Sequence, residues 1–135
     1  MQIANKLMML AVNVGDMAKS KEFYSEKLGF EISTEYRQDD DNWWVTLTLP
    51  EGGTTLTLSR ASISPESINP GVLSIYFETP DVDAAQKELG ERAVEASDVQ
   101  DDLFGPGSGV KWFSVKDPDG NQVMFVQEHD SRAPF

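Results

Sequence analysis

The sequence predicts an α+β fold of two βαβββ modules in tandem, related by a pseudo-twofold axis and forming a cleft between curved sheets. Three observations carry this expectation. Leu10-Ala11-Val12-Asn13-Val14-Gly15-Asp16 and Ile75-Tyr76-Phe77-Glu78-Thr79-Pro80-Asp81 share one pattern, an apolar strand closing on an aspartate, at a separation of 65 residues. Each runs into a helical stretch that closes on a Leu-Gly pair, Leu28-Gly29 and Leu89-Gly90. Further stretches of strand character follow each stop. A repeat this long is no solenoid, which stacks three or more short units to bury a continuous core.

In the first half, residues 7–14 carry apolar groups on both faces, as a strand covered on both sides does. Asp16 is placed to cap a helix of about twelve residues by accepting from the free N–H groups of its first turn. Met17, Tyr24 and Leu28 share one stripe with Phe23 beside it, and Gly29 is the left-handed stop. Residues 30–36 alternate cleanly and read as a strand, and Arg37 to Asn42 read as a polar turn with Asp39-Asp40-Asp41 at a solvated tip. Residues 43–49 and 54–59 flank Pro50-Glu51-Gly52-Gly53, a hairpin signal.

The Ser- and Pro-rich residues 60–70 read as a linker between module one, about 5–60, and module two, about 71–128. Together they make one domain. Module two predicts a strand over 72–79, a short helix over 81–89 and a strand near Ala93–Ser97. A Gly/Pro-rich loop over 101–109 comes next, then strands over 110–115 and 123–127 joined by the turn Asp117-Pro118-Asp119-Gly120-Asn121. Residues 129–135 read as a loose tail.

At 135 residues the chain is long enough to bury a real core, and 39% hydrophobic content excludes a disordered chain. It has no cysteine, which removes disulfides, thiolate metal sites and Cys nucleophiles. The net charge of −12 repels phosphate backbones, so no nucleic-acid partner is expected. The apolar run Leu7 to Val12 is too short to span a bilayer, and a cytoplasmic protein without a membrane partner is expected.

Val14-Gly15-Asp16 leading to Lys21-Glu22-Phe23-Tyr24 and Leu28-Gly29-Phe30, then Thr79-Pro80-Asp81 and Asp117-Pro118-Asp119-Gly120-Asn121, form a recurrent set. By these residues the sequence resembles the vicinal-oxygen-chelate superfamily over about residues 5–128. That superfamily includes glyoxalase I, extradiol dioxygenases, metal-dependent fosfomycin-resistance transferases and bleomycin-resistance binding proteins. The motifs identify the superfamily and no one activity within it.

The resemblance implies where a metal would sit. Metal-using members draw four ligands of His, Glu or Gln type from two strands of each module, and the ion works as a Lewis acid. Carried over by strand register, those positions are Met9, Thr57, Ser74 and Met124. Thioethers suit Cu(I), and neutral hydroxyls alone do not hold zinc, nickel or iron. No His, Asp or Glu lies within residues 7–14, 54–60 or 121–127, so a shift of register does not restore the set. No metal and no cofactor are expected.

His129, the one histidine, falls in the tail beside Glu128 and Asp130 and reads as solvated. Gly105, Gly107 and Gly109 precede a strand instead of a helix, so they read as a flexible loop and not a phosphate cradle. What remains around the expected cleft is apolar and hydroxylic. Met9, Trp44, Thr57, Ser74, Tyr76, Trp112 and Met124 are the candidate ligand-binding residues, with no catalytic residue among them. Ala11, Thr55, Ser59 and Val126 lie two positions away on the same strands. Alternation directs one of Trp43/Trp44 and one of Trp112/Phe113 inward.

The expected function is a metal-free small-molecule binding protein, sequestering a hydrophobic, aromatic or cationic compound, and assembled as a homodimer like the drug-sequestering members of the superfamily. The alternatives are a glyoxalase-like or dioxygenase-like enzyme, for which fold resemblance is the only support, and a plain dimeric module whose cleft is filled by its own side chains.

Overall fold

The computed structural model describes residues 1–60 and 73–128. Arg60 ends a strand; the rest of the expected linker, His129 and the tail lie outside the described residues. The chain divides into two compact units, Met1–Gly71 and Val72–Phe135.

In the first unit, β1 (Met9–Asn13) leads to α1 (Met17–Glu22), and β2 (Glu31–Asp39), β3 (Asn42–Thr48) and β4 (Thr55–Arg60) follow. The sheet order is β1-β4-β3-β2, with β1 parallel to β4 and the other pairs antiparallel. Register places Val12 beside Leu58, Leu58 beside Val45, and Leu56 beside Leu47. All five are buried, on the one sheet face that alternation makes apolar. α1 packs on β4 through Met17 and its neighbours. Each such side chain contributes about 1.5–3 kcal/mol by leaving water.

The helix departs from its expected form. After Glu22 the spiral widens into a π-helical stretch, Phe23–Lys27, closed by Leu28 N–H donating to the Phe23 carbonyl at 2.9 Å. Periodicity of the α type does not reveal the wider turn, because Tyr24 still points inward. Its ring is fully buried, edge-on to Phe23 at 5.2 Å and 6.3 Å from Phe30. Gly29, at φ 79°, takes the left-handed conformation that ends the helix. β2 also outruns its expected end: Asp39 pairs with Asn42, leaving only Asp40 and Asp41 at the tip.

The second unit repeats the plan: β5 (Ser74–Thr79), α2 (Val82–Glu91), β6 (Trp112–Lys116) and β7 (Gln122–Gln127), in sheet order β5-β7-β6. β5 runs parallel to β7, as β1 does to β4. The helix caps repeat as well. Asp16 accepts from Lys19 N–H and Asp81 from Ala84 N–H, both at 3.1 Å. Ile75, Val123 and Val115 form one buried row, and Phe113 stacks on Phe125 at 5.1 Å between centroids.

Two expectations change here. α2 does not stop at Leu89-Gly90. It continues to Glu91, and Ala93 supplies the left-handed residue at φ 63°. The strand expected near Ala93–Ser97 is reduced to bridges of Ala96 to Val115 and Gln100 to Trp112. The left-handed backbone at Ala93 breaks the expected strand at its first residue, and at its last the Ser97 hydroxyl accepts from Ser114 N–H at 2.9 Å in place of a ladder carbonyl.

Candidate functional site

Strand alternation gives each sheet a second face, opposite the apolar core rows, and the sequence-selected residues fall on these two faces. On the first, Ala11 pairs with Thr57 and Thr57 with Thr46, while Trp44 pairs with Ser59 and Tyr36. Met9 lies two residues before Ala11, half-exposed beside Thr55. The Thr57 hydroxyl is buried and shares a hydrogen bond with that of Thr46 at 2.9 Å. Trp44 rests against Tyr36 with ring centroids 5.4 Å apart.

Trp43 occupies the other face. Its indole N–H donates to Glu35 at 2.8 Å, and the Arg37 guanidinium lies 4.0 Å from its ring centroid. Lys21 of α1 approaches the same carboxylate to 2.8 Å. That ammonium, helped by the Trp43 N–H and opposed by partial burial, holds the Glu35 carboxyl below the usual glutamate value. This cluster ties the helix to β2 and β3.

In the second unit Ser74 pairs with Gln122, Tyr76 with Met124, and Glu78 with Val126. Met124 and Val126 pair onward with Ser114 and Trp112. The symmetry of the repeat is visible inside each unit: Thr57 stands opposite the residue two beyond Met9, and Met124 opposite the residue two beyond Ser74. Trp112 shares the face of Met124, and its indole N–H donates to Asp102 at 3.2 Å. Phe113 belongs to the core row instead.

A recess of about 560 Å³ opens on the second unit, lined by Tyr76, Phe77, Glu78, Leu103, Phe104 and Val126. Of the seven sequence-selected residues only Tyr76 lines it. Ser74, Trp112 and Met124 share its sheet face, and Met9, Trp44 and Thr57 belong to the first unit. Leu103 and Phe104 come from the 101–109 loop, which strand alternation cannot place. A signal was present nonetheless: two large apolar side chains stand side by side in a loop otherwise made of Asp, Gly, Pro and Ser.

That loop is built on internal bonds. Gly105 N–H donates to the Asp102 carbonyl at 2.8 Å, and Ser108 N–H to the Gly105 carbonyl at 3.1 Å. Gln100 and Trp112 exchange backbone bonds at its base, and the Asp102 carboxylate takes the Trp112 N–H. Phe104 is held 54% exposed at the recess wall.

The ligand-type positions offer a divalent ion two thioethers and two hydroxyls, one of the hydroxyls already committed to Thr46. This donor set does not fit a hard or borderline divalent metal. Among the described residues no three His, Cys, Asp or Glu side chains converge as a metal cluster, and no helix is long and apolar enough to cross a membrane.

Known proteins share this fold. TnmS3, an antibiotic binding protein from Streptomyces sp. CB03234, superposes with a TM-score of 0.77 at 25% identity, covering 96% of this chain and 99% of its own. A superfamily member from Sphaerobacter thermophilus superposes with a TM-score of 0.75 at 30% identity, over 93% and 98% of the two chains. YetH of Bacillus subtilis is 29% identical over 126 residues, 88% of this chain and 94% of its own. The pattern of one superfamily matches residues 6–125, nearly the full span of both units, and the chain belongs to it: Glyoxalase/Bleomycin resistance protein/Dioxygenase.

Proposed function

We propose that this protein is a metal-free small-molecule binder that sequesters an aromatic compound, cationic in preference to anionic, and that it works as a cytoplasmic homodimer. The observation that carries the reading is the recess on the second unit. Its 560 Å³ falls in the range of pockets that enclose drug-sized molecules, about 300–1,000 Å³. Tyr76, Leu103, Phe104 and Val126 give it apolar and aromatic walls suited to stacking. The likeness to TnmS3, an antibiotic binding protein, supports the same class. The Met, Thr, Ser and Met at the ligand-type positions remove the chemistry on which a glyoxalase-type reaction depends.

A thermal-shift screen against aromatic antibiotics and metabolites, paired with elemental analysis of dialysed protein, tests the proposal. Saturable stabilisation by aromatic compounds is expected, with no stoichiometric zinc, nickel, manganese or iron, and with methylglyoxal–glutathione isomerisation at background. About one tightly held metal per chain would overturn it, as would a screen in which no aromatic compound raises the melting temperature.

A further inference from the structure

We infer that the recess of the second unit selects guests carrying a protonated amine or amidine beside an aromatic ring, with Glu78 as the counter-ion; this rests on the binding reading above and names the guest's chemistry. Among the described residues, Glu78 is the only charged one in the lining. It stands on the sheet face of Tyr76, opposite Val126, so its carboxylate and the apolar wall are presented together. Among the described residues the ion-paired basic side chains serve Glu35, Asp40, Asp41, Glu88 and Asp83, and none serves Glu78. Glu78 is exposed at the edge of the recess, and a carboxylate beside an apolar wall with no cation of its own is complementary to a cation brought by the guest.

The surroundings act in the same direction. The acidic excess is concentrated in this unit: residues 73–128 carry twelve acidic and four basic side chains, against nine and six in residues 1–60. Asp101 and Asp102 belong to the loop that supplies Leu103 and Phe104. The general field acts over distances longer than a Debye length and is screened by salt, whereas a pair in direct contact is shorter than that length and is screened less. Salt therefore separates the contribution of Glu78 from that of the remaining acids.

The test uses three anthracene probes of similar size whose 9-substituent is cationic, neutral or anionic: 9-(aminomethyl)anthracene, 9-anthracenemethanol and anthracene-9-carboxylate. Each is titrated by fluorescence into the full chain at about 0.5 M NaCl, where the Debye length is only a few ångströms. The amine is expected to bind about tenfold more tightly than the alcohol, the scale of one charged hydrogen bond, and the carboxylate more weakly than either. Glu78→Gln should bring amine and alcohol within about twofold of each other while leaving the alcohol's affinity unchanged. Glu91→Gln, an equal charge change at the exposed end of α2, should leave the amine's preference intact.

Equal binding of amine and alcohol by the native chain would overturn the charge selection while leaving the pocket reading standing. A preference that survives Glu78→Gln would overturn the assignment to Glu78. Failure of all three probes to bind would remove the pocket reading itself, and the inference with it. Circular dichroism of each variant confirms that it is folded before titration.

Discussion

Asn121 is fully buried and bonded to Asp117 three ways: its backbone N–H reaches Asp117 Oδ1 at 2.8 Å, its side-chain Nδ2 reaches Oδ2 at 2.9 Å, and its carbonyl accepts from Asp117 N–H at 3.0 Å, while Asp117 Oδ1 also takes Asp119 N–H. The remaining Asn121 oxygen accepts from Leu73 N–H at 2.9 Å, so the β6–β7 turn also holds the chain entering β5. The motif that marks the superfamily is therefore a clamp at one end of the sheet that carries Glu78 and Tyr76. Asn121→Ala should destabilise the fold by about 2–3 kcal/mol, because it removes a hydrogen bond from the buried Asp117 carboxylate and another from the Leu73 N–H. Urea unfolding reads this directly, and an unchanged midpoint would show that the turn does not clamp β5.

Ala93 holds a left-handed conformation that costs an L-residue about 1–2 kcal/mol. Glycine there relieves the strain but loses about 0.4–1 kcal/mol through its freer unfolded chain. Ala93→Gly is accordingly expected to stabilise by about 0.5–1 kcal/mol, seen as a higher melting temperature. A lower one would mean that the methyl group makes a compensating contact.

These two positions show where sequence reading succeeds and where it stops. The capping aspartates, the hairpin at Pro50 to Gly53 and both sheets were legible, because a cap needs one oxygen at one place and a half-buried strand must alternate. The same alternation separates Trp44 from Trp43 and Trp112 from Phe113 once the register is known. Gly90 misled because its composition suits a stop, while the backbone turns three residues later at Ala93. The strand expected at 93–97 failed at both ends, on the left-handed backbone of Ala93 and on Ser97, whose hydroxyl takes a place in the ladder. The recess was missed because two of its walls, Leu103 and Phe104, sit on a loop with no period to read.

Glu35 makes the first unit sensitive to acid. Its folded carboxyl lies below the ordinary value of 4.5, chiefly through the hydrogen bond from Lys21. A depressed carboxyl contributes stability that is complete above the ordinary value and is lost as pH falls through the folded one. Native stability should therefore drop below about pH 4.5 more steeply than that of Glu35→Gln. A double-mutant cycle of Lys21→Ala with Glu35→Gln should give a coupling of about 0.2–1 kcal/mol at pH 7, as partly exposed pairs do. Parallel stability curves for the native protein and Glu35→Gln between pH 3 and pH 5 would remove Glu35 from the account.

The N-terminal strand makes association the expected state. β1 is an edge strand, and Leu7, Met8, Met9 and Leu10 before and within it are all exposed. An apolar edge of this kind is a pairing template that a soluble chain covers or blunts. Light scattering at micromolar concentration should return a homodimer, the commonest closed assembly. Met8→Lys with Leu10→Lys should shift it toward monomer, whereas a monomeric native protein would contradict the expectation.

Binding should divide the aromatic residues by role. Phe104 lines the recess directly, so Phe104→Ala should weaken a stacking guest by about 1–2 kcal/mol, from lost ring contact and lost buried area. Trp112 acts at one remove: its N–H holds the Asp102 carboxylate, two residues before Phe104. Trp112→Phe keeps a ring on β6 but releases that bond, so it should raise the dissociation rate of the guest while leaving global stability nearly unchanged. Trp44, on the sheet of the first unit, tests whether the guest instead sits on that sheet. Calorimetric titration of one aromatic ligand against all three variants distinguishes the cases. If Phe104→Ala and Trp112→Phe bind like the native chain while Trp44→Ala loses affinity, the guest belongs on the Trp44–Tyr36 face and the recess is not its seat.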